Sequence, residues 1–400
     1  MIELCKRCRN RIPEVEVIEV PEEECTYCCG LFLRIPKVAE EIAEKLKDYE
    51  LHTVQVGCAL RGSIREIESF FEEGRVNEET KAETGEKEGE IEETSRKSRS
   101  WIKQEINDEL SKKLCELLNV EDVRRRRTVA DFTVDLDAED LSYEVRITPL
   151  YIYGRYVKRV RNIPQTRWLC SACNGKGCQV CGFTGKKYPT SVEELIGQPC
   201  LNLTNGEDAV LHGAGREDID ARMLGRGRPF ILEIRKPKIR SVSLRELERA
   251  VNDHAGGRVS VKFLAFAEPK HVSKLKTAKY RKKYRAVVEF ERDVSEEEIK
   301  KALEKLSYRV IEQFTPERVE HRRANILRKR KTYKLELLLF RERKAVITVE
   351  ADSGLYIKEL VSGDKGRTKP SLSEILNNPS RVVRLDVLDV IGGLEEFEPV

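Results

Sequence analysis

Apolar residues recur along this chain with two periods, and the period changes from segment to segment. In VAEEIAEKLKDY (Val38 to Tyr49) they return every three or four positions, which lays a stripe down one face of a helix. The same period marks Trp101 to Leu118, LRELERAVNDH from Leu244, SEEEIKKALEKLSY from Ser295 and SLSEILNN from Ser371. SVEELIGQPC reads as a helix start, because Ser191 can cap it and Glu194 stands three residues on. Strand-like alternation takes over in TVQVGCALRG (from Thr53), TVADFTVDLDA (from Thr128) and SYEVRITPLYIYG (Ser142 to Gly154). It returns in ILEIRKPKI, VSVKFLAFAEP, YRAVVEFERD, TYKLELLLFRE, KAVITVEAD and VVRLDVLDVIGG. The short gap between Arg341 and Lys344 demands antiparallel pairing. Together these elements predict an α+β fold whose C-terminal half is a mixed, largely antiparallel sheet with helices on one side.

Two stretches break the pattern. From Glu72 to Ser100 the chain is almost entirely Glu, Lys, Arg, Thr, Ser and Gly, and the isolated Val76 and Ile91 cannot build a core. It is read as a solvated helix or a mobile insertion. His212 to Pro229, HGAGREDIDARMLGRGRP, crowds four glycines, three acids and four arginines together and is read as a loop followed by a brief turn. Such crowding fits either a solvated loop or a site where a carboxylate is held beside a cation.

Composition narrows the chemistry. The 74 Lys+Arg nearly cancel the 70 Asp+Glu, leaving a net charge of +4 over 400 residues, so the distribution of charge matters more than its sum. No apolar run approaches the roughly 20 residues a bilayer requires, and MIELCKRCRN lacks the apolar core of a signal peptide. A cytoplasmic protein without membrane contact is expected, and disulfides are rare there. The 12 cysteines need another role. Cys5, Cys8, Cys25 and Cys28 form two Cys-x-x-Cys pairs, the thiolate spacing of a closed, structural Zn²⁺ site. Cys170, Cys173, Cys178 and Cys181 form a second quartet with only Asn-Gly-Lys-Gly between the pairs, a zinc candidate with a redox dithiol as its rival. Cys29, Cys58, Cys115 and Cys200 fit no spacing.

Basic residues gather in Arg124 to Arg127 and in GRYVKRVRNIPQTRW (Gly154 to Trp168). In the second stretch Lys158, Arg159, Arg161 and Arg167 interleave with Tyr153, Tyr156 and Trp168. That combination suits phosphate contact with base stacking and points toward RNA. Lys270 to Arg285 and Arg318 to Lys334 are basic as well. There is no Walker loop, no dinucleotide fingerprint and no His-Glu-x-x-His. Five histidines leave little room for imidazole chemistry, so an enzyme here would use a carboxylate.

Three short motifs then appear in order. Gly215-Arg216-Glu217-Asp218 resembles the Gly-Arg-x-Asp motif of pseudouridine synthases, KKYRAVVEF (from Lys282) resembles their Lys-x-Tyr-x-Ala strand, and SGLYIKELVSGD (from Ser353) resembles their Gly-x-Tyr-Ile-Arg/Lys segment. With the N-terminal cysteines and GRYVKRVRNIPQTRW, nearly the whole chain resembles the archaeal and eukaryotic enzymes that act in the tRNA T arm. The resemblance implies a THUMP-containing RNA-binding region and a catalytic domain that isomerises uridines 54 and 55 without an organic cofactor. It implies Asp218 as the catalytic carboxylate, Lys358 as its basic partner, Tyr284 and Tyr356 against the target base, and Arg216 gripping the substrate. The Arg-rich Arg318 to Lys334 becomes an arm that clasps the tRNA, and no obligate protein partner is implied. Asp220 is the alternative carboxylate, since Asp-x-Asp places both on one extended face. The implied order is a zinc module (1–35), a THUMP-like domain (36–168) with the charged insertion 72–100, a second four-cysteine module (169–190) and the catalytic domain (191–400). The competing reading is a non-catalytic zinc-containing RNA-binding protein. A methyltransferase lacks its glycine-rich cofactor loop here, and a thiolating enzyme rests only on the second quartet.

Overall fold

In the computed structural model, residues 2–11, 16–69, 100–322 and 324–397 are described. The charged insertion, with Val76 and Ile91, lies outside them except for Ser100. That serine accepts a hydrogen bond from Lys103 N and opens the helix Trp101–Leu118. No helix among the described residues is long and apolar enough to cross a membrane.

The chain divides into two compact units, Met1–Pro149 and Leu150–Val400. In the first, strands β1 (Ile2–Leu4) and β2 (Val17–Glu19) pair in parallel beside the short helix α1 (Lys6–Arg9). Strands β3 (Thr53–Ala59), β4 (Glu121–Asp122), β5 (Phe132–Asp137) and β6 (Tyr143–Ile147) form a sheet in the order β4-β3-β5-β6. Helices α2 (Leu31–Leu46) and α3 (Trp101–Leu118) pack against each other, and α3 packs on β3. The helix expected from Val38 begins seven residues earlier. Leu31, Phe32 and Ile35 are buried with Cys5, Cys8, Cys25 and Cys28 in the core that also holds Ile42, Ile106 and Phe132. That packing outweighs the rung lost at Pro36 inside the helix. The first cysteine quartet is therefore built into this unit's core and does not stand apart as a 1–35 module.

Strand pattern alone ran Ser142 to Gly154 together. Pro149 has no N–H to give a ladder, and the run splits there. β6 pairs with β5, whereas β7 (Leu150–Lys158) pairs with β9 (Arg222–Arg235) and β10 (Val259–Ala267) of the second unit. The unit boundary thus falls at Pro149, ahead of the 168 expected from sequence. Lys158, Tyr153 and Tyr156, read above as part of an RNA-facing surface, point into the second unit's core and are fully buried.

The second unit is built on one ten-stranded sheet. It adds β8 (Asp208–Gly213), β11 (Arg281–Phe290), β12 (Val310–Gln313), β13 (Arg328–Arg341), β14 (Lys344–Asp352), β15 (Thr368–Lys369) and β16 (Ser380–Ile391). The order is β10-β7-β9-β16-β11-β14-β13-β12-β15, with β8 on β9. Of the described pairs in this sheet only β9 with β16 is parallel, so the sheet is mixed and largely antiparallel. Helices α4 (Val192–Thr204), α5 (Leu244–Ala255), α6 (Pro269–Thr277), α7 (Glu296–Leu306), α8 (Ile357–Ser362) and α9 (Leu372–Ile375) complete it. Four of them open on a serine whose side chain accepts the backbone N–H three residues on: Ser191, Ser243, Ser295 and Ser371. The brief turn expected near Pro229 is instead the first half of β9. Gly225 and Gly227 are there because β16 and β7 pass close by: a Cβ at Gly225 would lie 2.0 Å from Leu388 O.

Candidate active site

The loop between β8 and β9 carries Arg216, Glu217, Asp218 and Asp220, and it is held from behind by side chains of the second unit's core. Glu217, the unspecified position of Gly-Arg-x-Asp, is buried. Its Oε2 accepts from Arg228 Nε at 2.9 Å and from the Tyr156 hydroxyl at 2.8 Å, and Lys158 Nζ lies 3.9 Å from Oε1. Burial on its own would raise the Glu217 pKa, but Arg228 and then Lys158 outweigh it and hold the carboxyl below its ordinary value. Burial, followed by the Glu217 charge, pushes Tyr156 well above a free phenol. The same side chains grip the loop backbone. Arg228 donates to Ala214 O at 2.8 Å, Gln165 to Gly215 O at 3.0 Å, and Lys158 to Ile219 O at 3.3 Å.

A buried charge stranded without its partner is far costlier than a lost surface pair. Glu217→Gln should lower the stability of this unit by about 3–5 kcal/mol, because Arg228 and Lys158 would stay desolvated with no counter-charge. Tyr156→Phe, which leaves the ion pair standing, should cost only about 1 kcal/mol. Urea melts of the two variants check the difference.

Asp218 projects forward, 34% exposed, into a cavity of about 690 Å³. Its Oδ2 lies 3.3 Å from Lys358 Nζ and 3.4 Å from Arg318 Nη1. Arg318 is aimed there by Glu359, a buried carboxylate 2.6 Å from its Nε. Burial disfavours the Arg318 charge, yet Glu359 and Asp218 outweigh it and raise its pKa. Asp220 shares the cavity wall, but its side chain is 58% exposed and bonds Lys358 at 2.9 Å. Burial works against its charge, and the bond to Lys358 more than offsets it, leaving Asp220 below the usual carboxylate range.

Tyr284 stands on β11 opposite Val387 of β16, and both side chains line the cavity. Burial pushes its hydroxyl up to about 12, Arg228 opposing and Asp218 adding to the rise. Tyr356 caps α8, which places Lys358 in that helix's first turn. Gln313 clamps the cap from both sides, accepting from Tyr356 N at 2.8 Å and donating to Tyr356 O at 3.1 Å. Arg216 is exposed at the rim, its guanidinium 5.0 Å from the centre of the Trp168 ring. All five residues singled out by motif, Arg216, Asp218, Tyr284, Tyr356 and Lys358, therefore line one cavity.

Sequence reasoning missed Glu217, Arg228, Arg318 and Glu359. Glu217 sat inside the quoted motif as a free position. Arg318 lies 100 residues from Asp218, in a run taken for a phosphate-binding arm, and only the fold brings the two together.

Trp168 and Tyr188 form another side of the rim, their rings 5.6 Å apart, edge to face. They flank the second cysteine quartet, whose two arms are joined by Lys187 N to Trp168 O (2.9 Å) and Cys170 N to Gly185 O (2.8 Å). Each quartet brings its four sulfurs within 4.8 Å of one another. Sulfurs about 2.3 Å from a tetrahedral zinc stand about 3.8 Å apart. Cys5–Cys28 at 3.8 Å, Cys173–Cys181 at 3.9 Å and Cys178–Cys181 at 3.8 Å fit that spacing. The first quartet is wholly buried, while in the second Cys170 is buried and the other three are half-buried.

Residues 151–391 match the family model described as Pus10, C-terminal. The chain is 44% identical over 387 residues to a protein of Archaeoglobus fulgidus named tRNA pseudouridine synthase Pus10, covering 97% of this chain and 99% of that one. It is 41% identical to the protein of the same name from Methanothrix thermoacetophila (97% and 80% covered). For that of Methanocaldococcus jannaschii the identity is 42% (94% and 77% covered).

Proposed function

The chain belongs to the Pus10 family of tRNA pseudouridine synthases, and from that premise we propose that the Asp218 cavity receives a uridine swung out of the T arm, at positions 54 and 55. The protein is an isomerase acting on tRNA. The observation that carries the finer reading is the setting of Asp218: a carboxylate between two cations, facing two tyrosines, in a cavity large enough for a nucleoside. A flipped base has lost its stacking partners, and the Tyr284 and Tyr356 rings offer replacements. Asp218 acts at the glycosidic bond, and Lys358 and Arg318 hold its carboxylate in place. Arg216 grips the neighbouring backbone or base. Asp220 is the weaker candidate because it is the more exposed of the two and is bonded to Lys358.

The remaining parts follow the same reading. Both quartets hold structural zinc, which supplies cross-linking and no chemistry. Met1–Pro149 serves as a THUMP-type RNA-binding region, and Arg318 to Lys334 combines a cavity residue at its start with an RNA-facing strand after it. The protein works in the cytoplasm without an organic cofactor or an obligate protein partner.

The test is direct. Purified protein is incubated with an unmodified tRNA transcript, with no cofactor added, and pseudouridine is mapped at single-nucleotide resolution. Product at 54 and 55 is the expected result. Binding with no product would mean a tRNA clamp, and product confined to another arm would overturn the T-arm assignment.

A further inference from the structure

One buried lysine of the cavity wall has no partner among the described residues. Lys282 lies on β11, on the same face as Tyr284 and Ala286, and its side chain is 5% exposed while lining the cavity. Its ammonium stands so close to the Asp218 loop that a Cβ at Gly215, where φ is +80°, would lie 2.8 Å from Nζ. Among the described residues no carboxylate comes within ion-pair reach of it and no hydrogen bond ends on it. The contrast with Lys158, equally buried, is sharp: that ammonium donates to Ile163 O at 2.9 Å and Ile219 O at 3.3 Å beside Glu217.

A desolvated cation without a counter-charge is a large penalty, and chains keep one where a ligand completes it. Around the buried end of this cavity the account of charge is lopsided. Glu217 is the buried carboxylate nearby, and it is already taken by Arg228 at 2.9 Å and Lys158 at 3.9 Å, which leaves none for Lys282. Burial, and then Arg228, bring Lys282 down to about 7, with Glu217 opposing. The wall is short of an anion.

The reaction makes one. When the C1′–N1 bond of uridine breaks, its electron pair leaves with the base, and the resulting uracil anion spreads its charge over N1, O2 and O4. C5 then bonds to C1′, the C5 proton departs, and N1 takes one up, so substrate and product contain the same atoms and no oxidant or reductant enters.

Resting on the reading of the cavity as a uridine site, we infer that Lys282 is a catalytic residue whose ammonium bonds the charged carbonyl edge of the detached uracil. The neutral base of the bound substrate gains little from that ammonium and the anion gains much. The contact therefore accelerates bond breaking without tightening tRNA binding. A side chain at position 215 would press on Nζ itself, since a Cβ there lies 2.8 Å from it.

Lys282→Met and Lys282→Gln distinguish this role from a structural one. Single-turnover rates on the tRNA transcript should fall about 10²–10³-fold in both, the usual loss for one preorganised donor to a developing anion. The Kd for tRNA should stay within twofold, and the melting temperature of Lys282→Met should be unchanged or higher, because the uncompensated cation is gone. Wild-type rates in either folded variant would overturn the inference. So would a loss of rate matched by weaker tRNA binding and a lower melting temperature in both, since that is the signature of packing. If the wild-type protein itself yields no pseudouridine, the failure belongs to the uridine-site reading, and the inference falls with it.

Discussion

Asp218→Asn should reduce pseudouridine formation by at least about 10⁴-fold, roughly 5 kcal/mol of transition-state stabilisation, while tRNA binding survives. The substitution keeps volume and one carbonyl oxygen but removes the charge and the second carboxylate oxygen. Neither Lys358 nor Arg318 is stranded by it. Lys358 keeps Asp220 at 2.9 Å, and Arg318 keeps Glu359 at 2.6 Å. The fold should therefore lose little, and a urea melt within about 1 kcal/mol of wild type is expected, as for an exposed pair. Asp220→Asn should retain most of the activity, which separates the two carboxylates of the Asp-x-Asp pair. The measurement is single-turnover conversion of a tRNA transcript by each variant. Equal losses in the two would mean that the motif register misassigned the acting carboxylate.

Removing metal from the first cysteine quartet should unfold the Met1–Pro149 unit. Cys5, Cys8, Cys25 and Cys28 sit in its core among Leu31, Ile35 and Ile42, so whatever joins the four sulfurs also joins β1, α1 and α2. A structural zinc contributes on the order of 10 kcal/mol in small domains, comparable with the whole stability of a unit this size. Metal analysis should find two zinc ions per chain and one in Cys28→Ser. In that variant one melting transition should be lost while the Leu150–Val400 transition persists. Cys178→Ser should behave differently. Its quartet is only half-buried and lies outside the apolar core, so the larger unit should melt within a few degrees of wild type while Trp168 and Tyr188 lose their tether. A Cys28→Ser protein that keeps both metals and both transitions would remove zinc from the first site.

Information that is local in the chain was legible before any coordinates. The Cys-x-x-Cys pairs, the Ser191 cap and Gly-Arg-x-Asp each lie within a few residues, and backbone geometry holds such groups together whatever surrounds them. The antiparallel hairpin at Arg341 and Lys344 was readable for the same reason. Tertiary structure alone decided the rest. Alternation in Gly154 to Trp168 could not say which side of β7 faces water, and Lys158 and Tyr156, expected beside RNA, proved to be the buried support of the Asp218 loop. Nor could it say that a proline at 149 sends the two halves of one apparent strand into different sheets. The pairs Arg318–Glu359, Arg228–Glu217 and Lys358–Asp218 join residues 11 to 140 positions apart, and only the packed sheet brings them within bonding distance. Sequence thus singled out Asp218 and the motifs around it. The desolvation and charge surplus of its cavity, on which the proposed chemistry rests, exist only where distant strands enclose those groups together and shut out water.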